Sequence, residues 1–129
     1  MSQIEKQFDE ICTYLKKDEL CVRFSKIGFC RNWTGAALAA LDKIKTKNKF
    51  IVDYEARETE VSPCYFHTFV LIILSDGDNE LNYLMDGAGV AGLGTYFGPE
   101  SSAPTHLSNS QLDQISRYRK LIEENKKKS

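Results

Sequence analysis

Residues 64–89 read CYFHTFVLIILSDGDNELNYLMDGAG, and how this stretch divides decides the fold. From Phe66 to Leu74 every residue is apolar except His67 and Thr68, with β-branched and aromatic types prominent, which predicts a central strand covered on both faces. Asp76-Gly77-Asp78-Asn79 is rich in residues that tolerate left-handed backbone angles, so the chain is expected to turn back into an antiparallel partner over residues 80–85. The loop then sets the register. With Gly77 and Asp78 at its centre, Phe69 lies opposite Asp86 and His67 is a diagonal neighbour of Asp86 on the same face, within side-chain reach. With Asp76 and Gly77 making the turn, His67 faces Asp86 directly; a three-residue loop sends the two to opposite faces.

The flanking sequence supplies helices. Ile4, Phe8, Ile11, Cys12 and Leu15 recur at helical spacing, predicting an amphipathic helix over residues 3–17 with Cys12 on its apolar stripe. Residues 20–27, which include Cys21, are mixed and read as a short strand or irregular structure. Gly28-Phe29-Cys30 breaks that segment, and residues 31–45, with the run Ala36-Ala37-Leu38-Ala39-Ala40-Leu41, have the composition of a good helix. Cys30 therefore falls at or beside a helix N-terminus, where unsatisfied N–H groups and the positive end of the dipole favour a thiolate. The small side chains that follow, with Gly35, allow that helix to approach a sheet closely. Residues 50–57 alternate in part and predict a further strand. The glycine-rich stretch after Asp86 reads as a curved apolar segment bordering the site, or as a connection tucked on the sheet edge. It lacks the Lys-Ser or Lys-Thr ending of a phosphate loop. A last helix is expected from Asn109 or Ser110, ending in Lys126, Lys127 and Lys128.

With 129 residues and a net charge of −1, the chain is read as one α+β domain spanning residues 1–129, an antiparallel sheet with the Cys30 helix packed on it. That charge gives no general nucleic-acid footprint. The N-terminus shows no basic region followed by an apolar core, and no apolar run is long enough to span a bilayer. A cytoplasmic chain, or one delivered by a specialised secretion machine, is expected, with no membrane partner. Cys12, Cys21, Cys30 and Cys64 are expected as reduced thiols. Cys64 and His67 form a CxxH, but three residues apart on a strand they point to opposite faces, so neither a metal nor any other cofactor is expected.

Nucleophilic cysteine catalysis needs a thiol, an imidazole to take its proton and an acceptor that orients the imidazole. Cys30 at a helix start, His67 opening a buried strand and Asp86 closing its neighbour supply these types in that order. His106, in a Ser-, Pro- and Asn-rich stretch, is the alternative base.

That order, with the second strand closing as YLMDGAG, resembles the papain-like superfamily, and within it the transglutaminase and arylamine N-acetyltransferase arrangement. The resemblance covers roughly residues 28–89. It implies Cys30 as nucleophile, His67 as base and acid, and Asp86 as the orienting carboxylate. Papain-type enzymes carry a glutamine shortly before the nucleophile; residues 23–27 here contain none. The oxyanion donors would then be the N–H groups of Cys30 and a neighbour, helped by Asn32. The chain also lacks the additional domains of the larger family members. A minimal form is implied, such as bacteria use in small effector or toxin domains. The expected activity is thiol-dependent acyl transfer on a protein substrate: glutamine deamidation first, then transamidation or cysteine-protease cleavage, with a cognate inhibitor or immunity protein as a further partner. Two other classes stay open: a non-catalytic binding module such as an immunity or adaptor protein, and an RNA-cleaving toxin on the same fold.

Overall fold

Local signals at the start of the chain are strong, and they set three helices in succession. Ser2 accepts the N–H of Glu5 at 3.2 Å and starts α1 (Gln3–Lys17), whose Ile4, Phe8, Ile11, Cys12 and Leu15 are all buried. Asp18 ends α1 and caps the next helix by accepting the N–H of Cys21 at 3.1 Å. The segment expected as a strand or irregular is therefore a helix, α2 (Glu19–Ile27). Gly28, at φ 70°, takes the left-handed cap position, and the Phe29 N–H returns to the Phe24 carbonyl at 3.2 Å. This sharp stop fixes where α3 (Cys30–Ile44) begins. The computed structural model describes residues 2–62, 65–90 and 94–108.

The rest is a meander. Strands β1 (Ile51–Ser62), β2 (Tyr65–Ser75), β3 (Glu80–Val90) and β4 (Gly94–Pro99) form one antiparallel sheet in the order β1-β2-β3-β4. A 3₁₀ turn (Glu100–Ser102) and a short helix, α4 (Thr105–Ser108), follow. β1 and β3 run past the expected ends, and the glycine-rich stretch contributes an edge strand rather than a connection. At the β2–β3 turn, Asp76 Oδ1 accepts the N–H groups of Asp78 and Asn79 at 2.9 and 2.8 Å, and Gly77 sits at φ 99°. The pairs run from Ser75↔Glu80 to Val70↔Met85, the register with Gly77 and Asp78 at the loop centre.

This register sorts β2 between two cores. Val70, Ile72 and Leu74, with Tyr83 and Met85 of β3, pack under Ile4, Phe8 and Ile11 of α1 and Trp33, Ala37, Ala40 and Leu41 of α3. Phe69, Leu71 and Leu84 pack on the other face with Leu107 of α4. Each of these large side chains contributes about 1.5–3 kcal/mol by leaving water, so the continuous apolar run of β2 is what two covered faces require. The protein is thus α+β, with the helix that begins at Cys30 packed on an antiparallel sheet. Among the described residues no helix is long and apolar enough to cross a membrane. Pro63, Cys64 and the helix expected after Asn109 lie outside the described residues.

Candidate active site

Cys30 opens α3 at an N-terminus that no side chain caps, since Phe29 in the N-cap position makes no side-chain hydrogen bond. The first N–H groups of a helix have no partner within it, so they are free to act on a charge held there. The β2–β3 ladder stops at Val70↔Met85. Beyond that point the β2 edge beside His67 and Thr68 has no registered partner in β3, and this is where α3 delivers the thiol.

His67 and Asp86 are both fully buried, and His67 Nε2 lies 2.8 Å from Asp86 Oδ2. The other carboxylate oxygen accepts the Gly89 N–H at 2.9 Å, so both oxygens are held. An ionised carboxylate only accepts, which places a proton on Nε2 and leaves Nδ1 of the neutral ring as a bare acceptor. Nδ1 is buried and has no hydrogen-bond partner among the described residues. Besides Asp86, the group that influences the charge of this ring is the Cys30 thiol.

The electrostatics follow from these neighbours. Burial is the largest influence on Cys30 and pushes its pKa up. It is outweighed by the N–H and hydroxyl of Thr68 and by hydrogen bonding and charge from His67, so the thiol lies below its ordinary value. Burial pushes His67 down, but the Asp86 carboxylate and then Cys30 outweigh it and hold the imidazole above its usual range. The two shifts favour the same charge state, thiolate beside imidazolium. Cys12 and Cys21 behave in the opposite way, each pushed up to about 12 chiefly by burial.

The end of β3 is held by close packing. A Cβ on Gly87 would fall 2.1 Å from the Trp33 indole, so only glycine lets α3 press this closely on the residue after Asp86. Ser25 of α2 donates to the Gly87 carbonyl at 2.5 Å. Gly89, at φ 71°, bends the strand so that its N–H returns to Asp86. The sequence YLMDGAG thus encodes a carboxylate and the two glycines that aim it.

Two residues not anticipated from sequence complete the surroundings. Thr68 lowers the Cys30 pKa through its N–H and hydroxyl, and buried Thr34 donates to the Thr68 hydroxyl at 3.5 Å. Thr34 lies one helical turn after Cys30, and Thr68 is the second polar residue in an otherwise apolar run; those were the available signals. Asn32 is exposed in the first turn of α3. His106 lies in α4, not in a loop, and His67 rather than His106 is the imidazole acting on Cys30. Among the described residues no group of three or more His, Cys, Asp or Glu is arranged to hold a metal. Comparison with protein-family models, curated proteins and solved structures finds no match for this chain.

Proposed function

We propose that this protein is a cysteine-dependent acyl-transfer enzyme with a papain-like, transglutaminase-like core, acting on amide carbonyls of a protein substrate as a bacterial effector or toxin. The observation that carries this reading is the buried His67 ring, held by Asp86 at Nε2 with Nδ1 buried and unpartnered among the described residues, together with a Cys30 at an uncapped helix start whose charge state is linked to that ring. In the first step the Cys30 thiolate, its proton already held on His67 Nδ1, attacks the carboxamide carbon of a glutamine. The N–H groups at the start of α3 stabilise the oxyanion. His67 then protonates the departing nitrogen, the C–N bond breaks, and ammonia leaves a thioester on Cys30. Water attacks the thioester, gives its proton to His67, and releases glutamate and the free thiol. A substrate amine in place of water gives transamidation, and a peptide bond in place of the carboxamide gives proteolysis.

A macromolecular substrate is supported by the surface around the thiol. Ile27, Phe29 and Phe66 are 52%, 55% and 40% exposed, and the latter two immediately precede Cys30 and His67. Large exposed apolar residues next in sequence to the candidate nucleophile and base suit contact with another chain. The same observation favours a second reading, a non-catalytic binding module. The two separate when wild type and Cys30→Ser are expressed in a sensitive host and its proteins are analysed by mass spectrometry. The enzyme reading requires glutamine-to-glutamate mass gains or crosslinks that vanish with Cys30→Ser. Growth inhibition that persists in Cys30→Ser contradicts it and leaves the binding module.

A further inference from the structure

Beside the thiol a cleft of about 290 Å³ runs between the first turns of α3 and strand β1, lined by Arg31, Thr34, Gly35, Leu38, Ala56, Arg57, Glu58 and Thr68. It belongs to the Cys30 neighbourhood because its wall includes Arg31 and Thr34, in the helical turn that Cys30 opens, and Thr68, the residue after His67. We infer that this cleft is a specificity subsite that takes an uncharged side chain of an extended polypeptide, next to the residue attacked by Cys30. The inference rests on the acyl-transfer reading above and adds which substrate residues the enzyme accepts.

Size comes first. Pockets for cofactors and drug-sized ligands run from about 300 to 1,000 Å³, so this cleft is at the lower limit and suits one side chain better than a whole small molecule. Charge comes next. Arg31 and Glu58 reach across the mouth from helix to strand and lie 3.7 Å apart, and Arg57 is engaged with Glu55 at 3.2 Å and Glu100 at 3.7 Å. A charged guest would have to compete with these pairs or enter without a counter-ion. Leu38 and Ala56 offer apolar wall, and the Thr34 and Thr68 hydroxyls offer hydrogen bonds. The direction of the guest chain follows from the strand. Ala56 and Glu58 pair with Val70 and Thr68 on the helix-facing side of the sheet, and exposed Phe66, two residues before Thr68, continues the same face outward.

Gly35 makes the cleft testable. A Cβ at this position meets nothing within 4 Å, and the glycine has ordinary helical angles, so a larger residue fills the cleft without a clash. The probes are acetyl-Xaa-glycine chloromethyl ketones with Xaa glycine, leucine, glutamine, glutamate or lysine, and iodoacetamide as a probe too small to need the cleft. Inactivation rates of Cys30 are read by site-resolved mass spectrometry. Wild type is expected to react about tenfold faster with the leucine and glutamine ketones than with the glycine, glutamate and lysine ones, the usual worth of a filled apolar pocket. Gly35→Leu should erase that preference and leave the iodoacetamide rate unchanged. A Cys30 that reacts readily with iodoacetamide but shows no preference among the ketones overturns the subsite alone. A preference that survives Gly35→Leu overturns it too. A Cys30 no faster than Cys12 toward iodoacetamide removes the acyl-transfer reading and the subsite with it.

Discussion

Cys12 and Cys30 lie on helices packed against the same sheet, yet their surroundings drive the two thiols apart. Cys12 is in the middle of α1 on a stripe of Ile4, Phe8, Ile11 and Leu15, where burial pushes its pKa up to about 12. Cys30 is also partly buried, and burial alone would raise it, but it stands at an uncapped helix start where the influence of Thr68 and His67 outweighs burial and lowers it instead. Burial therefore does not decide thiol chemistry here. What decides it is how strongly polar groups act on the sulfur: at Cys12 the Lys16 charge and the residue's own N–H lower the pKa but do not offset burial.

Several substitutions test this contrast. The largest effect belongs to the two thiols themselves: Cys30→Ser should cut acyl transfer by at least about ten-thousandfold, as removal of a nucleophile does, whereas Cys12→Ala should keep the activity because a small apolar side chain replaces another. Deamidated products counted by mass spectrometry check both, and equal losses would remove the distinction. Next is Asp86→Ala, which takes the acceptor from His67 Nε2 and should lower turnover by about a hundredfold or more, within the range for general acid–base groups. The His67 pKa, followed by NMR, should fall in the same variant because the carboxylate is what raises it. An unchanged imidazole titration would show that Asp86 is only structural.

Gly87→Ala probes the packing behind the site. Forcing a methyl against Trp33 should cost about 1–3 kcal/mol, as overpacking generally does, measured by urea unfolding. No loss would mean that the α3–β3 contact is looser than the close approach of Trp33 implies. The smallest effect is expected for Thr68→Val, which removes the hydroxyl and keeps the N–H. Losing one hydrogen bond to the sulfur should slow alkylation of Cys30 near neutral pH by about three- to tenfold and leave Cys12 unaffected.

Much of this arrangement was legible before any coordinates, for identifiable reasons. The unbroken apolar run of β2 announced two covered faces, and the Asp-Gly-Asp-Asn turn narrowed the register to three choices, of which two bring His67 and Asp86 to one face and the third separates them. Helix α2 did not show, although Leu20, Phe24 and Ile27 recur at helical spacing, because the segment has only nine residues and buries only Cys21. Its caps, Asp18 and Gly28, were the stronger signal. Strand β4 was hidden by glycines that serve close backbone approach: a Cβ on Gly89 would fall 2.6 Å from the Gly94 carbonyl oxygen. Thr34 and Thr68 escaped notice because their contact joins a helix to a strand, and local pattern carries no trace of it.

The central claim is that His67 activates the Cys30 thiol, and the pH dependence of iodoacetamide labelling tests it most directly when all cysteines are resolved by mass spectrometry in wild type and His67→Ala. Thiolate is the reactive form, so each labelling rate rises with pH through the pKa of its thiol. The Cys30 midpoint in wild type should lie below 9, the value from which it is lowered, and Cys12 should stay slow until pH nears 12. Near neutral pH Cys30 should lead by about a hundredfold, allowing for the weaker nucleophilicity of a more acidic thiol. His67→Ala should move the Cys30 midpoint upward, since it removes two of the interactions that lower it. A Cys30 that labels as slowly as Cys12, or whose midpoint ignores the loss of His67, would contradict the account.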